Sequence, residues 1–486
     1  MFFLAVSSDT TVTLMGTIKS CLVSNTWTKS RSVIRQARQY SGRGSNPRIL
    51  VSKNARYLAA KGAISVSGLY WWSTSRREQV PDLGSATSDI LSDSGPSEAE
   101  VTRALTQSAY SVRLPKSTGV KRYDGAQLAA NMPCEDRFLH GKFASPTDNG
   151  SPWLAWGLFD GHSGWQTAET LTKYLIPFVQ SRLRQILSSR NEENSVQQAI
   201  MKGFVDLDQL LISSALNAGE SNIPLRDKIR ILSPAYSGSC ALLSLYDPST
   251  RSLHVACTGD VRAVMGRKTA DGKWEAVELS IDQDGHNEDE VARIEKEHPG
   301  EEEIAQGGRI LGLACSRAFG DAQWKLPEET LQDFKKRFKS PGPLTPRYKV
   351  LTPPYLTAEP VVTSTTIDGG RPSFLIMATD GLWFTMHSEE AVNLIGKWLD
   401  SDPFTRSSNK TQTRYEGFDY LHFWKDVPWR FVEKYTTIED DNAAVHLLRN
   451  ALGGNHRELV ASRLAFVPPA ARSVRDDLTV QVVFFS

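Results

Sequence analysis

The chain has 486 residues, 40% of them hydrophobic, with 56 Lys and Arg against 55 Asp and Glu. That length can bury a large core, and the balanced charge gives no reason to expect nucleic acid as a partner. Five scattered cysteines (Cys21, Cys134, Cys240, Cys257 and Cys315) show no Cys-x-x-Cys spacing, which argues against a disulfide framework or a cysteine zinc site.

The first fifty residues are rich in Ser and Thr, carry Lys19, Lys29, Arg31, Arg35, Arg38, Arg43 and Arg48, and have Asp9 as their only acid. Arg31, Arg35 and Arg38 share one helix face at helical spacing. Basic, Ser-rich and acid-poor is the make-up of a mitochondrial transit peptide, read here as residues 1–40, with Arg38-Gln39-Tyr40 before Ser41 as the processing pattern. The bland reading is a basic tail. Residues 41–118 read as a linker, rich in Ser, Asp, Glu and Gly over 80–105. Within it, the apolar run 57–72 contains Lys61 and ends in Trp71-Trp72 before Arg76-Arg77. It is shorter than the roughly 20 residues of a spanning helix. It admits two readings, an inner-membrane anchor with an interfacial end or a segment packed on the catalytic domain.

The catalytic region is read as residues 119–486. Glu135-Asp136-Arg137 comes first. Residues 153–159 form an apolar strand that runs into Asp160-Gly161-His162, and Trp165, Ala168, Leu171, Leu175, Phe178 and Val179 then repeat at helical spacing. Residues 240–246 and 252–258 are strands joined by a turn, Gly259-Asp260 interrupts, and 261–265 continues as strand. Helices are expected over 288–298, 327–338 and 389–398. Residues 374–379 are a nearly pure apolar strand ending at Asp380, and the last strand, 478–485, follows Asp476-Asp477. Strands with helices between them predict an α+β layered fold.

Aspartates at the ends of apolar runs are costly to bury unpaired. Several converging on one cleft repel each other unless a cation neutralises them, and hard oxygen ligands suit Mg²⁺ or Mn²⁺. The simplest physical reading is a binuclear metal site on a β scaffold. The rival for any one Asp-Gly is a turn, and Asp271-Gly272 and Asp368-Gly369 are read that way. The acids between 282 and 290 miss calcium-loop spacing and are read as a helix start. His162 alone would be structural, but it directly follows a candidate ligand, which leaves an acid-catalyst reading open beside the structural one.

From residue 123 to the carboxyl end, Glu135-Asp136-Arg137, FDGHSG at 159–164, SGSC at 237–240, TGDVR at 258–262, SRAFGD at 316–321, ATDGLW at 378–383 and RDDLTV at 475–480 occur in one order. That set resembles the type-2C metal-dependent protein serine/threonine phosphatases (the PPM family). Segments 130–137, 352–360, 380–387, 441–444 and 449–454 are most similar to its mitochondrial subgroup that acts on the pyruvate dehydrogenase complex. The resemblance implies a central antiparallel β-sandwich flanked by α-helices on both outer faces. It implies two Mg²⁺ or Mn²⁺ ions held by Glu135, Asp160, the Gly161 carbonyl, Asp380 and Asp476, with Asp136 reaching them through water. Asp160 would bridge the ions, and Asp260 matches a weaker third position. A water activated by the metals would hydrolyse phosphoserine or phosphothreonine without a phosphoenzyme. His162 would be the general acid, acting with Asp160 and Asp380 as the catalytic set.

Two departures from the family pattern matter. Asn131 stands where the wider family binds substrate phosphate through arginine, so phosphate capture leans on the metals. Phe384 stands where an acid is usual, which disfavours a third ion. The implied enzyme activates the pyruvate dehydrogenase E1α subunit in the mitochondrial matrix or at the inner membrane. The alternatives are a phosphatase for other mitochondrial phosphoproteins and a catalytically dead phosphatase-like regulator.

Overall fold

The structure, a computed structural model, describes residues 96–146, 150–187, 194–401 and 430–486. The transit-peptide reading of residues 1–40, the apolar run 57–72 and the 41–95 part of the linker lie outside them.

In chain order the described elements are helix Glu98–Thr106 (α1), then strands Tyr110–Arg113 (β1), Val120–Leu128 (β2), Arg137–Phe143 (β3) and Trp153–His162 (β4). Helices Gln166–Leu187 (α2), Asn194–Glu220 (α3) and Leu225–Tyr236 (α4) follow. Strands Gly238–Asp247 (β5), Ser252–Thr258 (β6), Arg262–Lys268 (β7) and Trp274–Glu278 (β8) lead to helix Glu288–Glu297 (α5) and the short strands Ala305–Gln306 (β9), Arg309–Ile310 (β10) and Phe319–Gly320 (β11). Helices Ala322–Lys325 (α6) and Glu328–Phe338 (α7) precede strands Val361–Thr366 (β12) and Ser373–Ala378 (β13). Helices Asp380–Trp383 (α8), Ser388–Asp400 (α9), Ala443–Leu452 (α10) and Arg457–Ala465 (α11) precede the last strand, Leu478–Phe485 (β14).

Two antiparallel sheets stack. One runs β1-β2-β14-β13-β7-β8; the other runs β12-β6-β5-β4-β3, with β11 pairing β5. Successive side chains on a strand point to opposite faces, so each central strand feeds two cores. On β13, Leu375 and Met377 face inward and meet Leu154, Trp156, Leu158, Leu242 and Val255 of the other sheet. Phe374, Ile376 and Ala378 face outward, against Leu394, Ile395 and Trp398 of α9 and Val445, Leu447 and Leu448 of α10. On β5, Ala241, Leu243 and Leu245 face outward against Leu171, Leu175 and Phe204 of α2 and α3. Burial of each such Leu or Phe is worth about 1.5–3 kcal/mol. The result is the four-layer sandwich that the family resemblance implies, with helices on both outer faces. Among the described residues no helix is long and apolar enough to cross a membrane.

The linker boundary at residue 118 needs correction. Helix α1 and strand β1 belong to the folded body. Ser97 and Glu100 form a capping box at the start of α1, whose Val101 and Leu105 are buried in the α9–α10 core. β1 pairs with β2 from Tyr110↔Gly125 to Arg113↔Arg122. The polar composition of this stretch is that of an amphipathic helix with only two buried side chains, which resembles a linker when counted rather than phased.

Candidate active site

The predicted acids gather at one end of the sandwich, where both sheets contribute. Asp160 and His162 close β4, and Asp160 pairs across with Cys240 on β5. Asp380 begins α8 directly after β13, Asp476 precedes β14, Asp260 lies between β6 and β7, and Glu135 and Asp136 lie between β2 and β3. The end of β4 presses on the Glu135 backbone: a Cβ at Gly161 would lie 2.3 Å from the Glu135 carbonyl oxygen, so only glycine fits there.

Asp136 is fully buried. Its Oδ2 accepts the hydroxyls of Thr379 at 3.0 Å and Thr479 at 2.7 Å, and Thr379 Oγ1 in turn accepts the Thr479 N–H at 3.1 Å. Burial, then the charge of Asp477, push its carboxyl up to about 7 despite those two donors. Asp160 is raised well above the usual carboxylate range, first by burial and then by the charges of Asp136, Asp380 and Asp260. Its Oδ2 is buried without a hydrogen-bond partner. Glu135 is raised too, chiefly by burial. Asp476 accepts the Asp477 N–H at 2.8 Å and pairs with Arg472.

Among the described residues, no three Asp, Glu, His or Cys side chains form a ready-made metal cage. The donor chemistry nevertheless fits a hard divalent cation. Every candidate donor is oxygen, and the unpartnered buried Oδ2 of Asp160 is the atom a cation would satisfy.

Two acids outside the predicted set organise the site. Asp477 is buried and ties down the 130–135 loop: it accepts the N–H groups of Ala130 at 2.5 Å, Asn131 at 2.9 Å and Glu135 at 2.9 Å. Burial opposes ionisation there, but those donors hold its carboxyl below the ordinary range. Asn131 belongs to the same tie. Its side-chain amide donates to Asp477 at 3.1 Å and to Glu135 at 3.3 Å, so a phosphate would compete with two carboxylates for it.

Asp321 is the second. Its Oδ2 lies 2.7 Å from His162 Nε2, and its side chain is wholly buried. Burial alone would lower the imidazole's pKa, but the charge and hydrogen bond of Asp321 prevail and raise it to about 10. Asp321 sits in the left-handed region, φ +51°, a strained backbone for a non-glycine residue, and its N–H donates to Ser237 O at 3.1 Å. The SRAFGD motif contained the signal for Asp321, but its partner is 159 residues away in sequence.

A protein-family model described as "Protein phosphatase 2C" matches residues 125–415. A protein phosphatase 2C homolog of Schizosaccharomyces pombe is 38% identical over 454 residues, covering 90% of this chain and 97% of that protein. The mitochondrial [pyruvate dehydrogenase [acetyl-transferring]]-phosphatase 1 of Saccharomyces cerevisiae is 37% identical over 401 residues, covering 76% of this chain and 69% of that one. The Homo sapiens protein of the same name is 30% identical over 470 residues, covering 80% and 82%.

Proposed function

The chain belongs to the protein phosphatase 2C family of serine/threonine protein phosphatases, and from that premise we propose that it is a Mg²⁺- or Mn²⁺-dependent mitochondrial enzyme that dephosphorylates the pyruvate dehydrogenase E1α subunit. The observation that carries the metal dependence is Asp160, buried, unpartnered at Oδ2 and opposed by three further carboxylates. The substrate rests on the names of the Saccharomyces cerevisiae and Homo sapiens relatives. The compartment rests on those names and on the basic, acid-poor composition of residues 1–40; the name of the Schizosaccharomyces pombe relative gives no compartment.

Glu135, Asp160, the Gly161 carbonyl, Asp380 and Asp476 would hold two cations, with Asp136 acting through water and Asp260 binding more weakly. When bound, the cations would neutralise the carboxylates, bring the imidazolium nearer neutrality and supply an activated water in line with the phosphoryl group. His162 does the proton work on the leaving side. Nε2–H of the imidazolium donates to Asp321, which leaves Nδ1–H as the group that would give a proton to the departing Ser or Thr oxygen. Asp321 also fixes the ring's orientation. Asp477 and Asn131 keep the Glu135 loop seated on the β4 end.

The test compares phosphorylated E1α with a generic phosphoprotein, with Mg²⁺ and with chelator. Faster Mg²⁺-dependent turnover of E1α is expected. Equal rates on both would end the substrate assignment, and full turnover under chelator would end the metal assignment.

A further inference from the structure

The segment leaving the active site after Asp321 carries a surface that the chemistry does not use. Residues 334–358 include Lys335, Lys336, Arg337, Lys339, Arg347 and Lys349 and no acid, in a chain whose formal charge is +1. All six except Arg337 lack an ion pair among the described residues; Arg337 pairs with Asp333 and Glu220. The five unpaired cations are exposed.

Their frame is packed on the folded body. α7 buries Leu331 and Phe334 against Leu232, Ala235 and Tyr236 of α4. Leu344, Tyr348 and Val350 pack on the cluster of Ile294, Ile310, Leu311 and Tyr355. Gln323 Nε2 donates to Gly342 O, and Tyr355 Oη accepts the N–H groups of Leu351 at 2.7 Å and Thr352 at 3.0 Å. Pro341, Pro343 and Pro346 stiffen the turns. Between α7 and these turns opens a cleft of about 680 Å³ lined by Lys335, Lys336, Pro343 and Pro346, with Glu328 at one side. The near end is anchored at the chemistry, because α6 starts at the residue after Asp321.

Exposed cations in one short segment repel each other, and although Lys335 and Lys336 in the last turn of α7 favour its dipole, an opposing acidic surface would gain from all five. We propose that the 335–349 surface docks an acidic, Asp- and Glu-rich face of the phosphoprotein substrate while the phosphorylated side chain enters the carboxylate site. This rests on the phosphatase reading of that site. A protein is the occupant that can fill both places at once.

The full-length protein with Mg²⁺ is assayed on two phosphoserine peptides identical around the phosphoserine, one extended by Asp and Glu and the other by Asn and Gln. The acidic extension is expected to raise kcat/KM about tenfold at low salt, and the gain should vanish at high salt. It should also vanish in Lys335→Glu/Lys336→Glu/Lys339→Glu, whose turnover of p-nitrophenyl phosphate stays at the wild-type rate. The milder Lys335→Gln/Lys336→Gln/Lys339→Gln variant leaves the buried face of α7 intact and should lose part of the gain. Fluorescence anisotropy of the unphosphorylated acidic peptide reads the surface without the chemistry. If wild-type protein fails on p-nitrophenyl phosphate, the phosphatase reading falls, and lysine-dependent binding of this peptide still decides the surface. Equal kcat/KM for the two extensions, acidic-peptide binding that is indifferent to the lysines, or tighter lysine-dependent binding to phosphatidylserine vesicles would overturn the proposal.

Discussion

Replacing Asp160 with Asn removes one negative charge that Asp136, Asp380 and Asp260 all oppose. The metal-free variant should therefore melt at or above the wild-type temperature, while Mg²⁺-dependent phosphopeptide turnover falls by at least about 100-fold. Calorimetry beside an activity assay checks both, and a wild-type rate would remove Asp160 from the cation site. Asp321→Asn keeps the shape but removes the charge facing His162. Hydrolysis of phosphoserine should fall by about 10²–10⁴-fold, and an activated aryl phosphate, whose oxide leaves unaided, should lose far less. His162→Ala should show the same split, and the double variant should be no worse than the more damaging single one. Equal losses on both substrates would remove the pair from proton transfer. Asp160, Asp380 and His162 were legible because each ends or follows an apolar strand. Asp321 and Asp477 were not, because their work is defined by partners brought near only by folding: Nε2 of His162, and the N–H groups of Ala130, Asn131 and Glu135.

Helix α5 is joined to the 316–317 segment by a buried ion pair. Arg317 donates to both oxygens of Glu290 at 2.5 and 2.9 Å, and Arg293 and Ser316 add bonds of 2.9 and 2.7 Å. Burial alone would raise the Glu290 carboxyl, but these donors hold it at about 2 against an ordinary 4.5. A depressed carboxyl stabilises the fold fully above its unfolded value and loses that contribution as pH falls toward its folded value. Stability should thus drop between pH 4.5 and about 2, by roughly 2–3 kcal/mol from this group. Glu290→Gln should flatten the urea-midpoint profile in that window; an unchanged profile would count against the pair. Helix α1 gives a second test at this scale. Leu105→Ala should cost about 2–5 kcal/mol in urea unfolding, since Leu105 is fully buried. A cost near zero would restore the linker reading. Strand β13 was readable as an almost unbroken apolar run because both its faces are covered, whereas β14 interleaves Thr479 and Gln481 with its apolar residues. The helices α3 and α4 escaped notice. In α3 the stretch Ser213, Ser214, Asn217 and Gly219 reads as loop, and Gly203 serves tertiary fit: a Cβ there would lie 2.8 Å from Val179 Cα, where α2 crosses.

For the molecule as a whole, the balanced charge of 56 against 55 hides local imbalance. Acids collect at one end of the sandwich and unpaired lysines on the 335–349 surface. A ligand that binds only the folded state raises its stability by mass action, by about 2.7 kcal/mol at a hundred times its Kd. Saturating Mg²⁺ should therefore raise the thermal midpoint of the wild type and leave Asp160→Asn nearly unmoved. A wild-type midpoint that ignores Mg²⁺ would argue against cation binding at the carboxylates. The α+β class was legible from apolar strands and helices, and the sandwich with helices on both outer faces was implied by the resemblance to the phosphatase family. The strand order within the first sheet was not, because β14 at the carboxyl end pairs with β2 near the start of the folded body, Leu478 against Leu128, and no local pattern encodes that meeting.

Asp136 lies on the crossing from β2 in one sheet to β3 in the other, and it takes hydroxyls from Thr379 and Thr479 while its charge reaches Asp160 on the opposite slab. The carboxylate cluster thus also joins the two sheets at one mouth of the sandwich, and a bound cation should tighten that junction by offsetting the repulsion among its acids. Amide hydrogen exchange should be lopsided. At the carboxylate end, near the Ala378↔Val480 and Asp160↔Cys240 pairs, exchange should slow as divalent cation is added. At the far end, near the Phe374↔Phe484 and Leu154↔Tyr246 pairs, it should stay as it was.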